Sequence, residues 1–272
     1  MTRTRNGLEW AFGADCSSPA AEPSANAPFN LPAHGLLAQR DGRLIGFARV
    51  ISDDCICSWI AEVCVRPEWQ GQGVGGQLVD AVVDRFAHTA IYCDAPSNQV
   101  EFVAKRGLSP RRTLVACAAG PAKTEPEVGS PLPDGVSIRR DMADWGKIHE
   151  LYASVGFEMR GEAPERIIER SFANGAMGFL AFHGDDLVGI ARAMSDGVTS
   201  AWLAELCVRP DWQGRGIGRA LVHKVRRTFP QTAVHGEALA HQAEFFAKAG
   251  LPPQPALVAC SRRPDPGEGS AA

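Results

Sequence analysis

The sequence predicts an α/β chain made of two tandem copies of one domain, each built on a mixed sheet. Three observations predict it. A constant offset of 143 aligns residues 35–117 with residues 178–260 without a gap, and 40 of those 83 positions are identical. That period is too long for a solenoid and fits a duplicated domain. Within each copy, short apolar runs bounded by turn residues alternate with segments of helical spacing. Finally, one stretch recurs almost unchanged: EVCVRPEWQGQGVGGQL at 62–78 and ELCVRPDWQGRGIGRAL at 205–221.

Each copy reads in the same order. Residues 36–39 and 179–182 are strands, turning at Asp41-Gly42 and at Gly184-Asp185-Asp186 into partner strands over 44–51 and 187–194. Residues 58–65 and 201–208 are nearly continuous apolar strands, hence buried ones. The glycine-rich loop then opens a helix, because Leu78, Val79, Val82, Val83 and Phe86 recur at helical intervals, as do Leu221, Val222, Val225 and Phe229. Strands follow at 90–93 and 233–235. A second helix (99–106, 242–249) stops at Gly107 or Gly250, and a last strand carries the same tetrad, LVAC, at 114–117 and 257–260.

The copies differ in front. Copy two opens with a strand at 136–139 and a helix with Asp141 as N-cap, Asp144 as first-turn acid and apolar residues at 145, 148, 151, 152 and 155. Pro164 starts another helix with Ile167, Ile168 and Phe172 inward. Copy one has only a strand at 8–12 before DCSSPAAEPSANAPFNLPAH, whose Ser and Pro content excludes the same two helices. The expected boundaries are a reduced first domain at 1–118, a Pro-, Gly- and Glu-rich linker at 119–134, a second domain at 135–263 and a disordered tail at 264–272.

Composition sets outer limits. With 45% hydrophobic and 22% charged residues the chain can bury a real core. A net charge of −3 leaves no dominant basic surface, so nucleic acid is not an expected partner. No run approaches 18 apolar residues, and nothing apolar follows MTRTRNGLEW, so neither a membrane span nor a secretory signal is expected. The eight cysteines lie in apolar or strand-like runs without metal-ligand spacing. They read as buried, reduced thiols of a cytoplasmic protein, with no metal.

Strand, glycine loop and helix together make an arrangement for holding a phosphate. Glycines let the backbone approach closely, and the free N–H groups of the first helical turn face the anion. Gly71-x-Gly73-x-x-Gly76 matches a dinucleotide fingerprint, with Asp94 at a suitable distance. Two features count against that reading. Copy two has Arg219 in place of the third glycine, and five residues separate strand from glycines where a Rossmann turn needs almost none. A Walker loop fails because no Gly-Lys-Ser/Thr follows.

Both copies do satisfy Q-x-x-G-x-G, through Gln70, Gly73, Gly75 and Gln213, Gly216, Gly218, behind a Val-Arg-Pro strand end. This resembles the acyl-CoA signature of the GNAT N-acetyltransferase superfamily, twice over and in the family's order of elements. The resemblance implies two tandem GNAT-like domains, the first without the front helices, with acetyl-CoA lying where the sheet splays. Backbone groups of Leu206, Cys207 and Val208 would pair with the pantetheine arm. Amides of Gly214, Arg215, Gly216, Ile217, Gly218 and Arg219 would cradle the diphosphate. In copy one the same parts are Val63, Cys64 and Val65, then Gly71, Gln72, Gly73, Val74, Gly75 and Gly76. Asn98 matches an Asn that relatives often carry before the last helix, where copy two has His241. Since Arg215 and Arg219 stand where copy one has Gln72 and Gly76, copy two is expected to bind the coenzyme more tightly.

Glu62 and Glu205 are the single charges in the apolar strands WIAEVCV and WLAELCV. A carboxylate there should have a raised pKa unless partnered, which suits a general base; otherwise it hydrogen-bonds or faces solvent. The tyrosine acid of many relatives is missing, since Val103 and Phe246 occupy its place. Either the thiolate leaves without an acid, or Cys207 or His241 serves, or one copy is inert. Trp59 and Trp202 are expected in the core, Trp69 and Trp212 against the rim of the loop. The expected function is acetyl transfer from acetyl-CoA to a small-molecule amine in copy two, by a monomer or homodimer. The alternative is an acyl-CoA-binding sensor without turnover.

Overall fold

A computed structural model of the chain describes residues 2–5, 8–13, 32–121, 131–140, 144–157, 159 and 163–264. The chain forms two compact units, Met1–Arg111 with Ala256–Ala272, and Arg112–Pro255.

In the first unit, β1 (Thr2–Arg5), β2 (Leu8–Gly13), β3 (Ala33–Arg40), β4 (Arg43–Ser52) and β5 (Cys57–Val65) run as an antiparallel meander. The β3–β4 hairpin turns at Asp41 and Gly42, both at positive φ (50° and 72°), as a tight primed turn requires. Helix α1 (Val74–Arg85) crosses to β6 (Ala90–Pro96), which is parallel to β5, and α2 (Val100–Ala104) leads to the short β7 (Ser109–Pro110). Val74, Leu78, Val79 and Val82 of α1 pack on Ile45, Ala48 and Ile91 of the sheet. Strand β1 had no counterpart in the sequence reading.

The second unit contains β8 (Leu114–Ala119), β9 (Val136–Arg139), α3 (Trp145–Ser154), α4 (Pro164–Ala173), β10 (Met177–His183), β11 (Asp186–Ser195) and β12 (Ser200–Val208). Helix α5 (Ile217–Thr228), β13 (Ala233–Leu239) and α6 (Ala243–Lys248) complete it. Ile217, Leu221, Val222 and Val225 of α5 cover one face of the sheet. The other face is covered by α3 and α4, through Ile148, Leu151, Tyr152 and Ile168 against Leu180 and Ile190. The residue before α4, Ala163, sits at φ 60°, which costs about 1–2 kcal/mol. Burial of Ile168 alone, about 1.5–3 kcal/mol, offsets that.

One local expectation changes. Asp144 is itself the N-cap of α3, its Oδ1 accepting from the Gly146 amide at 2.9 Å, because the helix starts at Trp145 and not three residues earlier. Asp141, the Ser- and Pro-rich segment at 14–31 and the tail at 265–272 lie outside the described residues, so the absence of front helices in copy one stays an expectation.

The larger difference concerns the final strands. The sheet orders are β1-β2-β3-β4-β5-β6-β14-β7 and β8-β13-β12-β11-β10-β9, with β14 spanning Leu257–Arg262. Strand β8, which belongs to the first repeat in sequence, pairs with β13, and β14 pairs with β6. The compact units are therefore not divided at residues 118 and 135, and each repeat completes the other's sheet. Identical LVAC tetrads offer either sheet the same apolar face. No helix among the described residues is long and apolar enough to cross a membrane.

Candidate functional site

In each unit the strand before the glycine loop is irregular at the same place. Strand β5 pairs with β4 as Ile60↔Val50 and then Glu62↔Arg49, leaving Ala61 as an extra residue. Strand β12 repeats this, with Leu203↔Ala193, Glu205↔Arg192 and Ala204 extra. Such a bulge sharpens the twist and re-aims the side chain after it, bringing each Glu opposite an Arg. On the opposite edge the β5–β6 ladder ends at Ile60↔Cys93 and the β12–β13 ladder at Leu203↔Gly236. Beyond those pairs the strands diverge, so the backbone of 61–65 and of 204–208 has no ladder partner on that side among the described residues. An exposed edge of this kind is a template for an extended ligand. Val63 and Val65 lean on the core of the first unit, Leu206 and Val208 on that of the second, and Cys207 on the cluster under α3 and α4.

The glycine loops follow directly. Gly73 and Gly216 are the N-caps of α1 and α5, at φ 84° and 86°, and neither helix has a side-chain cap or a first-turn acid. The first amides of two twelve-residue helices thus face outward with their dipoles. Gly71 and Gly214, also at positive φ, have open space where a Cβ would stand. The remaining loop residues have other duties. Gln70 and Gln213 brace the turn, their Nε2 groups donating to the Val65 and Val208 carbonyls at 3.0 and 2.9 Å. Val74 and Ile217 are buried anchors. Gly75 and Gly218 make room for Phe102 and Phe245, whose ring atoms would lie 3.5 and 3.1 Å from an added Cβ.

The first unit has a cleft of about 810 Å³ running from the splay to the loop. It is lined by Glu62, Val63, Val65, Gln70, Gly71, Gly73, Gly75 and Gly76, and also by Asp94, Phe102 and Arg106. Cys64, Gln72, Val74 and Asn98 do not line it: the Gln72 amide donates to the Glu68 carbonyl, and Asn98 sits in an exposed turn, as does His241 in the second unit.

Arg106 modifies the comparison of charge between the copies. Its guanidinium occupies the space beside Gly76, donating from Nε to the Gly76 carbonyl (3.1 Å) and from Nη1 to the Phe102 carbonyl (2.7 Å) while stacking on Phe102. The second unit has Ala249 at the position of Arg106 and Arg219 at that of Gly76. Each unit therefore places one guanidinium near the first turn of its loop helix, from different elements. The charge difference narrows to Arg215, which stacks on Trp212, against Gln72.

The strand carboxylates are partnered. Arg192, fully buried, chelates Glu205 through Nε and Nη2, and its Nη1 donates to Ser171 Oγ of α4 at 3.2 Å. Arg49 reaches one oxygen of Glu62 from Nε and Nη2 at 3.4 and 3.3 Å in a more open setting. In the sequence both arginines are a lone charge repeated at matching places, GFARV and GIARA, which is the signal that could have found them. Trp59 and Trp202 lie in the core as expected, and Trp69 and Trp212 pack against it from the loop. Burial, then the Glu205 charge, pushes the Cys207 thiol up to about 12. Against about 8.5 for an ordinary thiol, that shift makes Cys207 a weaker acid toward a departing thiolate. Val103 and Phe246 are core residues.

Sequence reasoning considered Asp94 only as a nucleotide-binding acid. It lines the cleft, both its oxygens are buried without a hydrogen-bond partner among the described residues, and burial pushes its pKa up to about 7. Its counterpart Glu237 accepts from Trp202 Nε1 at 2.8 Å. An acid at matching points of two apolar strands was the signal.

Residues 5–107 match the Acetyltransferase (GNAT) family model and residues 174–250 an Acetyltransferase (GNAT) domain model. The mycothiol acetyltransferase of Rhodococcus opacus (strain B4) is 27% identical over 238 residues, spanning 78% of this chain and 76% of that protein. Serotonin N-acetyltransferase 2, chloroplastic, of Oryza sativa subsp. japonica is 33% identical over 94 residues, covering 34% of this chain and 47% of its own. Among solved structures, a GCN5-related N-acetyltransferase from Sphaerobacter thermophilus superposes with a TM-score of 0.54 at 18% identity, covering 86% of this chain and 81% of that one. A tandem GNAT protein from the clavulanic acid biosynthesis pathway gives 0.53 at 16%, covering 88% and 86%. At those identities the structural likeness is one of fold alone.

Proposed function

Since the chain belongs to the GNAT acetyltransferase family and carries two GNAT domains in tandem, we propose that it transfers an acetyl group from acetyl-CoA to a small-molecule amine, with the second unit as the principal site. One observation carries this: a bulged, one-sided strand edge runs into an uncapped helix N-terminus behind positive-φ glycines, twice. Those features fit an extended arm ending in a diphosphate. Acetyl-CoA, when bound, supplies an activated thioester. The backbone of Leu206, Cys207 and Val208 pairs with the arm, and the amides from Gly214 to Arg219 hold the diphosphate, with Arg215 and Arg219 adding charge. Glu205, oriented by Arg192, receives the proton of the incoming amine. Helices α3 and α4 wall the acceptor side and exclude water. Likeness to a mycothiol acetyltransferase along most of the chain supports a small acceptor.

Thiol release from acetyl-CoA against a panel of amines tests the proposal, with bound CoA counted by native mass spectrometry. Glu205→Gln is expected to lower turnover about 100-fold while KM for acetyl-CoA stays nearly constant. Full rate in that variant at every pH refutes the proton-accepting role. The buried Val103 and Phe246, where an acid would stand, favour a second reading as an acyl-CoA sensor. Binding without thiol release across the panel would establish it.

A further inference from the structure

The first unit has its own uncommitted acid. Asp94 is the first residue of β6 beyond the last β5–β6 pair, so it stands at the root of the splay. Its neighbours Cys93 and Ala95 belong to the core cluster under α1 and also border the cleft, and Asp94, alternating with them along the strand, lines the cleft without joining that cluster. Around it are Glu62 from β5, already paired with Arg49; Tyr92 and Cys93 from β6; Cys260 from β14; and Arg106 from the turn after α2, bonded to two carbonyls and close to Asp80. The oxygens of Asp94 make no hydrogen bond to any of these, and its electrostatic neighbour is the Cys260 thiol, on which the Asp94 charge acts. In the second unit the longer Glu237 is drawn to an indole instead.

We propose that Asp94 is the proton acceptor for acyl transfer in the first unit's cleft, acting on a primary amine that arrives as a cation. The inference rests on the reading that the Gly71–Gly76 loop holds acetyl-CoA. A buried, unpaired carboxylate attracts an ammonium group, and its position at the splay root is where the thioester end of a ligand lying along 61–65 falls. The carboxylate takes one proton from R–NH3⁺, leaving a neutral amine. The nitrogen lone pair attacks the thioester carbonyl carbon, the carbon–sulfur bond breaks with its electrons on sulfur, and a second nitrogen proton passes to that sulfur. Amide and free thiol result, and Asp94 returns its proton to solvent. With a pKa near 7, half the carboxylates are ready at neutral pH.

The test uses the full chain with Gly216→Val to silence the second loop. Thiol release from acetyl-CoA is followed with tyramine, spermidine, glucosamine and lysine methyl ester between pH 5.5 and 9, alongside calorimetric binding of acetyl-CoA. We expect one bound acetyl-CoA and an amine-dependent rate that climbs with pH and levels above about 7. Adding Asp94→Asn should lower the rate about 100-fold and flatten the profile without changing acetyl-CoA affinity more than twofold, and Asp94→Glu should restore part of it. Retained binding with an unchanged rate and profile in both Asp94→Asn and Asp94→Ala overturns the role of Asp94 alone. Retained binding with no turnover for any amine overturns it as well. No binding at all overturns the reading of the loop, and the inference with it.

Discussion

Replacing Arg192 with methionine tests whether the Arg–Glu pair behind the bulge is structural as well as orienting. The Arg192 side chain is 0% exposed and that of Glu205 9%, and the guanidinium serves both the carboxylate and Ser171. Removing it leaves an anion with almost no water, and breaking a buried pair in this way costs about 3–5 kcal/mol. The matching pair in the first unit is 19% and 41% exposed, with an N–O distance of 3.3 Å, so Arg49→Met should cost about 1 kcal/mol or less. At roughly 2–4 °C per kcal/mol for a chain of this size, the melting midpoint should fall by roughly 6–20 °C in the first case and by no more than about 4 °C in the second. Arg192→Met combined with Glu205→Leu should recover most of the loss, since no stranded charge remains. Calorimetry together with urea titration of tryptophan fluorescence measures the parent and the four variants, Glu205→Leu alone included. Equal losses from Arg192→Met and Arg49→Met, or a double variant as unstable as the summed singles, would refute the reasoning.

Asp94→Asn should change how stability depends on pH. The folded value of about 7 lies above the ordinary 3.8, so the native chain keeps a proton that the unfolded chain has released. Stability present at acid pH is therefore lost as pH rises from about 4 through 7, by up to about 4 kcal/mol. The variant should melt higher than the parent at pH 8 and alike at pH 4; equal midpoints at pH 8 contradict the buried carboxylate. Gly73→Val and Gly216→Val put a β-branched residue at φ 84° and 86°, costing about 1–2 kcal/mol, and each should remove one of two bound CoA molecules by native mass spectrometry. A chain ending at Pro255 removes β14 from the first unit, so coenzyme binding there, and not in the second unit, should be lost; loss of the second site instead would contradict the strand exchange.

What the sequence made legible was local. Apolar alternation located the hairpins, helical spacing located α1 and α5, and Gly107 and Gly250, both at φ 84°, ended their helices where a left-handed stop was expected. The phosphate-type loop was legible for the same reason, since positive φ and an uncapped helix start demand glycine. Other features depend on pairing between distant strands. Ala61 and Ala204 look like any core alanine until the register with Arg49 and Arg192 shows them to be bulged. Arg106 is seven residues beyond the predicted helix start, and nothing local says that it fills the place left by Gly76. Asp94 was noticed for its distance from the glycines, a feature of another fold, while its isolation follows from burial that only the packed cleft creates.

The strand exchange has a cause written in the repeat and a consequence for the site. Ala116 and Cys117 in one sheet, and Ala259 and Cys260 in the other, are equally buried, and each guest strand takes the register its host's own strand would have used: Cys260 faces Cys93, and Cys117 faces Gly236, 143 positions further on. Since the tetrads are the same, the strand itself offers either sheet the same apolar side chains. In the exchanged arrangement β7 is held against β14 and the chain passes to the second unit at Arg112. Once exchanged, neither repeat has a complete sheet by itself. Leu257, near the end of the second repeat, lines the cleft whose glycine loop lies almost two hundred residues earlier, so residues of both repeats build the first unit's site.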